Sequence, residues 1–354
     1  MKFDDRLRNP QIQTDGRERR AAGEFGDCVA CHRISVLSVA YSLAAVRPET
    51  AGGAEQVLAM LDDALVRAGH RSIVVACEGS QTSGTLVTTV ARALELGPAD
   101  IIHMHGQDFA AHLPPPGPPV LVTLHVPREW YPDDPLKTTR PNTWFNCVSK
   151  TQRANWPDDP RMLPPIENGV PVERLGSRVR KRGFALCLGR VCPEKGFHIA
   201  LDAAARARVP LLIAGEVYPY EAHQRYFRDE FLPRLSGSKS RFLGAAGFER
   251  KRRLLAAARC LLAPSQVPET SSLAAMEALA CGTPVIAYPA GALREIVEHG
   301  RTGFLVSSEA EMAEAIEAAG ALDPAACRRA ACERFPATRT IREYLELYER
   351  LAAA

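Results

Sequence analysis

Two carboxylates, Glu269 and Glu277, are separated by seven residues in the stretch of this chain richest in chemical content. Between them run Thr270, Ser271 and Ser272, then Leu273 to Ala280, a short segment of strong helix formers. Hydroxyl side chains at such a position are good N-caps, because their oxygens accept from the unpaired amides of a first helical turn. Gly282 ends the helix, and Val285–Ile286–Ala287–Tyr288 reads as a buried strand. At a rise of about 1.5 Å per residue the two acids lie on the order of 10 Å apart. The first-turn amides near Ser271, Ser272 and Leu273 lie between them, at the positive end of a helix dipole. A ligand matching that layout has an anionic centre and a hydroxyl-bearing group at each end, as a nucleotide-diphosphate sugar does. Glu269 would then take the sugar hydroxyls and Glu277 the ribose diol. On helix pattern alone, the same residues also fit a surface helix with two solvated glutamates.

Chemistry on such a ligand needs positive charge, because a departing nucleoside diphosphate gains negative charge as its glycosidic bond breaks. Arg190 and Lys195 are placed for this, on the loop after a strand at Phe184 to Leu188. The chain has no Asp-x-Asp motif to hold a metal, so metal-free stabilisation by these two cations is the economical reading; two solvated loop cations are the plain one. Gly52 and Gly53 lie where a strand at Ile34 to Tyr41 hands over to an amphipathic helix at Glu55 to Ala68. Glycines there let a phosphate or sugar approach the backbone, or simply make a turn. The dinucleotide pattern G-x-G-x-x-G is missing, which weighs against a dehydrogenase.

Two further strands, Ala99 to His105 and Val120 to His125, end in histidines, and the carboxyl ends of strands are where ligands bind in open α/β sheets. Alternation along a strand predicts that one of His103 and His105 points into the core. Arg128, Trp130 and Tyr131 form a polar, aromatic loop suited to stacking on a sugar, with Arg128 on the acceptor side, or to packing on itself as a lid.

The seven-residue spacing of Glu269 and Glu277, the run ALACGTPVIA and the later GRTGFLV resemble family 4 of the retaining GT-B glycosyltransferases, and the likeness runs from about Ile34 to the C-terminus. The resemblance implies an α/β protein of two Rossmann-like, doubly wound domains facing a central cleft. It implies transfer of a sugar, with retention and without metal or other cofactor, from a nucleotide-diphosphate sugar to an acceptor hydroxyl. The acceptor would be a glycan, a lipid-linked or a small molecule, in cell-envelope polysaccharide or glycoconjugate synthesis. By the same resemblance, Gly52 and Gly53 close over the diphosphate, and Arg190 and Lys195 stabilise the leaving group. His125 reaches the donor sugar, and His103 and His105 belong to the acceptor side. Gly244 lies by the nucleotide base, and Gly291 and Glu295 lie near the sugar end. Thr270–Ser271–Ser272 departs from the Gly-Phe-Gly of many members. Other expectations for this scaffold are a phosphorylase or epimerase, or a non-catalytic nucleotide-sugar-binding relative.

Length and composition set the frame. A chain of 354 residues suits two domains, and 46% apolar residues suit sizeable cores. A net charge of +3 points to no nucleic-acid partner. The domains are expected at 31–172 and 183–336, after a mobile extension over 1–30 and before a helix, 337–354, that crosses back to the first domain. No apolar run approaches the roughly 20 residues of a membrane span, and the charged N-terminus has no secretory core; a cytosolic protein is expected. The linker from Glu173 to Arg182, with Arg174, Arg178, Arg180 and Lys181, reads as a solvated charge run that is also suited to anionic lipid head groups. The ten cysteines read mostly as small buried hydrophobes. Cys28-Val-Ala-Cys31-His32 matches a c-type haem attachment pattern, but that chemistry normally follows export. Zinc there would need further ligands.

Overall fold

The computed structural model describes residues 33–47, 50, 52–176 and 179–353. The expected N-terminal extension, the Cys28–Cys31–His32 motif and Arg178 lie outside the described residues. Ile34–Ala354 forms one compact unit.

That unit contains two sheets. The first comprises β1 (Ser35–Val39), β2 (Arg71–Val75), β3 (Thr85–Val87), β4 (Ile101–Met104), β5 (Val120–Leu124) and β6 (Thr143–Cys147). The second comprises β7 (Ala185–Leu188), β8 (Leu211–Ala214), β9 (Arg241–Phe242), β10 (Cys260–Ala263), β11 (Val285–Ala287) and β12 (Gly303–Leu305). The orders are β3-β2-β1-β4-β5-β6 and β12-β11-β10-β7-β8-β9, with every pairing parallel. Read from β7 onward, the second sheet repeats the order of the first. Helices cover both faces, so the central strands are near-continuous apolar runs; every residue of β1, β4 and β5 is buried. These are the two doubly wound domains that the sequence led us to expect. In each, the strand order reverses at one point, between β1 and β4 and between β7 and β10, and a crevice opens there beyond the carboxyl ends of the strands.

The C-terminal helix, Ala337–Ala352, spans the halves. Its buried face of Tyr344, Leu347, Tyr348 and Leu351 packs with Val36, Ile101 and Leu121 of the first sheet. Its entry is pinned where Val170 bridges to Pro336. Tyr344 Oη meets Thr123 Oγ1 at 3.1 Å and accepts from Asn146 Nδ2 at 3.2 Å, so these three buried side chains satisfy one another under the helix.

The segment after β8 changes its helical form along its length. Tyr220 to Leu235 is helical over Glu221–Tyr226, widens to a π turn over Phe227–Phe231 and tightens again over Leu232–Leu235. Pro233 supplies no amide and its ring crowds the carbonyl four residues earlier, which accounts for the break in the α pattern. Among the described residues, no helix is long and apolar enough to cross a membrane.

Candidate active site

A cleft of about 610 Å³ lies where the two crevices meet. Gly52, Gly53, His105 and His125 line it from the first domain, and Arg190, Lys195, Glu269, Ser271, Ser272, Leu273 and Glu277 from the second. Local sequence explains how the second group converges. After β7 the chain makes a tight turn, Pro193–Lys195, closed by Gly196 at φ +63°. A Cβ on Gly196 would lie 2.2 Å from the carbonyl oxygen of Pro264, so only glycine lets this turn press against the loop that follows β10. The contact seats Lys195 Nζ 2.6 Å from Glu269 Oε1, an oxygen that also accepts from Ser265 Oγ. Glu277, further along the Leu273–Ala280 helix, accepts from Lys251 Nζ at 2.5 Å. Among the described residues Arg190 forms no ion pair; its guanidinium lies 5.7 Å from the centre of the Tyr218 ring.

The start of the Leu273–Ala280 helix corrects one expectation. Ser272 is the N-cap residue but makes no side-chain cap bond. Thr270 Oγ1 instead donates to the carbonyl of His125 at 2.7 Å, tying the domains together, and Ser271 Oγ is buried without a partner. The hydroxyls therefore leave the helix start uncapped. Opposite it, the helix Gly53–Arg67 also begins without a side-chain cap, and a Cβ on Gly53 would lie 3.7 Å from Leu273 Cδ1. Two uncapped helix starts thus face one cleft beside Arg190 and Lys195, an arrangement made for an anion.

The strand-end histidines separate by role. His103 is fully buried, with Nδ1 2.7 Å from Tyr348 Oη and Nε2 2.7 Å from Thr123 Oγ1. It has no atom left for an acceptor, so its assignment to the acceptor side is corrected: it is a core residue. The alternation argument is corrected as well. Positions two apart share a face, and the rings of His103 and His105 lie on one side with centroids 3.8 Å apart. His105 reaches the cleft, its Nδ1 3.0 Å from His125 Nε2, while its own Nε2 is buried without a partner. Burial pushes His103 and His105 well below the usual imidazole range and His125 down to about 3. All three are neutral imidazoles at neutral pH.

Three more expectations shift. Arg128 does not line the cleft; it pairs with Asp134 at 2.6 Å and lies 5.3 Å from the Trp156 ring. Trp130 and Tyr131 do line it, but Tyr131 is buried and packs edge-on against Phe109 and Trp156, so it braces the loop rather than offering a free face. Gly244 lies one residue off the wall formed by Ala245 and Ala246, and its carbonyl accepts from the Gly215 amide at 2.9 Å. Glu295 does not line the cleft and accepts from the Thr151 amide of the first domain.

The cleft also holds residues that the sequence reading passed over. Glu55, in the first turn of the Gly53–Arg67 helix, is buried, and a Cβ on Gly52 would come within 1.9 Å of its Oε2. Burial raises its carboxyl pKa, with Arg190 opposing. An acid two residues after a glycine pair was the available signal. Tyr218, Lys251 and Asn168, whose Oδ1 is unpartnered, also line the cleft.

Comparison with known proteins bears on the fold and on the second domain. Residues 182–320 match the family of glycosyl transferases group 1. A phosphatidyl-myo-inositol mannosyltransferase of Mycobacterium leprae is 31% identical over 169 residues, covering 43% of this chain and 43% of the relative. A glycogen synthase of Mycobacterium tuberculosis is 32% identical over 176 residues, 47% of this chain and 41% of that protein. The aligned part thus spans under half the length of these curated relatives. Among solved structures, AviGT4, a glycosyltransferase involved in avilamycin A biosynthesis, superposes with a TM-score of 0.71 at 28% identity, covering 91% of this chain and 98% of its own. HepE of Anabaena, solved with UDP-glucose, has a TM-score of 0.71 at 19% identity over 90% of this chain and 100% of its own, and shares the fold. The second domain thus carries the group 1 glycosyl transferase match, and the pair of doubly wound domains has the GT-B fold of the glycosyltransferases on which the chain superposes.

Proposed function

We propose that the cleft transfers a sugar from a nucleoside-diphosphate sugar to an acceptor hydroxyl, with retention at the anomeric carbon and without a metal. One observation carries the reading: Lys195 bound to Glu269 at 2.6 Å, beside the unpaired Arg190 and an uncapped helix start. The diphosphate would lie on the helix amides, Ser271 Oγ, Arg190 and Lys195. Glu269 would hold the sugar and Glu277 the ribose. The glycosidic bond breaks with its electron pair passing to the diphosphate, whose growing charge the two cations stabilise. The acceptor oxygen bonds to the anomeric carbon from the same face, and its proton passes to an oxygen of the departing diphosphate. His125, neutral and oriented by His105, would meet the sugar as a hydrogen-bonding group rather than as a charge. The volume lies within the range of small-molecule sites, roughly 300–1,000 Å³. The acceptor is a glycan, a lipid-linked or a small molecule, and the protein works in the cytoplasm, where a basic linker can approach a membrane surface.

The test is a thermal-shift screen against UDP-, GDP- and ADP-sugars, since specific binding raises apparent stability by mass action, followed by measured release of nucleoside diphosphate. Lys195→Ala should lower turnover by about 10²–10³-fold, the usual cost of one preorganised charge-stabilising group, with the melting temperature little changed. Turnover at the parent's rate in both Lys195→Ala and Glu269→Ala would remove this site from the reaction.

A further inference from the structure

At the rim of the cleft, three side chains of different chemistry converge outside the proposed transfer machinery. Cys192, Glu194 and His223 each offer one ligand atom, and these atoms all lie within 4.8 Å of one another. Cys192 and Glu194 belong to the loop between β7 and Lys195, and His223 to the Glu221–Tyr226 helix. Cys192 and His223 are buried. His223 Nδ1 is buried with no hydrogen-bond partner, although buried polar atoms are normally paired. Tyr220 and Tyr218 pack on its ring, with centroids 5.1 and 6.4 Å away, and hold it in place. Cys192 Sγ lies 3.7 Å from the carbonyl of Arg190 and hydrogen-bonds with the Glu194 carboxylate.

We infer that Cys192, Glu194 and His223 form a zinc site that clamps the Lys195 loop to the Glu221–Tyr226 helix. A thiolate, an imidazole and a carboxylate are the three protein ligand types zinc takes, and a sulfur ligand selects against magnesium and calcium. A tetrahedral site spaces such atoms roughly 3.4–3.6 Å apart, given metal–ligand lengths of about 2.0–2.3 Å. Small side-chain rotations close the difference. Glu194 and His223 also line the cleft, so water can supply a fourth ligand from that side. The charges also balance, since thiolate and carboxylate together offset the dication. The inference rests on these three side chains and holds whether or not the cleft transfers sugar.

Zinc must displace the thiol proton. Burial pushes Cys192 up to about 11, with Arg190 and Lys195 pulling it down, Glu194 pushing it up and Tyr226 close by. His223, facing Glu194 and Arg190, has its pKa lowered by burial and is already a neutral ligand. Binding at pH 7 should therefore release about one proton per zinc, because ligands must be deprotonated to bind.

The experiment uses the full chain carrying Cys28→Ser and Cys31→Ser, so that the N-terminal sulfur pair contributes nothing. After chelator treatment, Zn²⁺ is titrated against a chromophoric competitor in excess Mg²⁺, with proton release followed by an indicator dye. One zinc per chain and about one proton are expected. Cys192→Ser and His223→Ala, each checked for an unchanged metal-free melting temperature, should weaken binding at least tenfold. Co²⁺ in the parent should give a thiolate-to-cobalt charge-transfer band that Cys192→Ser abolishes. Absence of that band in the parent, or equal zinc affinity in parent and variants, overturns the site even if a variant folds poorly.

Discussion

Glu277 and Lys251 are the more secluded of the two acid–base pairs in the cleft, with side chains 6% and 13% exposed. Removing one member of a buried pair strands the other charge, at a cost of about 3–5 kcal/mol. Lys251→Ala should therefore lose stability on that scale in urea unfolding, and adding Glu277→Ala should recover much of it; equal losses in the single and double variants would show the pair to be unimportant. Lys195→Ala is expected to be milder in stability, because Glu269 keeps the bond from Ser265. Glu55 gives a prediction of different form. Its raised carboxyl pKa means that the folded state holds its proton more tightly than the unfolded state does, so ionisation above pH 4.5 opposes folding. Glu55→Gln should be more stable than the parent at pH 7.5, and the gain should shrink as pH falls toward 4.5. A gain of constant size across that range would point to packing instead. The two glutamates of the motif were legible because their spacing is written in the sequence. Lys251 was not, since it stands among Arg250, Arg252 and Arg253 and only the helix phase decides which of the four turns inward.

At the scale of elements, the C-terminal helix carries the clearest test. Tyr348 Oη is bonded to His103 Nδ1 at 2.7 Å in a fully buried setting. Tyr348→Phe keeps the ring and removes the oxygen, leaving that nitrogen unpaired, which costs about 1–3 kcal/mol. The denaturation midpoint should fall with an unchanged slope, since the exposed area hardly differs; an unaltered midpoint would mean that His103 finds another partner. The amphipathic spacing of this helix and the apolar runs of the central strands were readable, because burial on one face or two imposes a period. The short edge strand β3 and the helix Val90–Glu95 were not: β3 is largely exposed, and the helix buries only Ala93, so neither leaves a pattern. The histidine pair failed for another reason. The alternation reading splits His103 and His105 between faces, whereas positions two apart share one, and only the fold shows that Tyr348, 245 positions along the chain, closes over the first and leaves the second to the cleft.

Across the whole molecule, the histidines set how the fold responds to acid. Burial lowers the pKa values of His70, His103, His105, His125, His198 and His223, with His125 falling to about 3. For a base with a depressed folded-state pKa, the unfolded chain binds the extra proton, so stability rises with pH. The contribution is complete above about 6.5, the unfolded value, and is lost progressively as pH falls toward each folded value. Each histidine adds a slope of up to about 1.4 kcal/mol per pH unit in that window. The salt-bridged carboxyls Asp134 and Asp159 are depressed from 3.8, so their loss comes at lower pH, and Glu55 works in the opposite direction above 4.5. Unfolding free energy measured by urea should therefore already fall between pH 7 and pH 5, before ordinary carboxyls protonate. His125→Gln should flatten part of that fall. A free energy level from pH 7 to pH 5 would mean that the histidine cluster between β4, β5 and the C-terminal helix opens to water. The closed interface that orients His125 toward the cleft would then not be the state populated in solution.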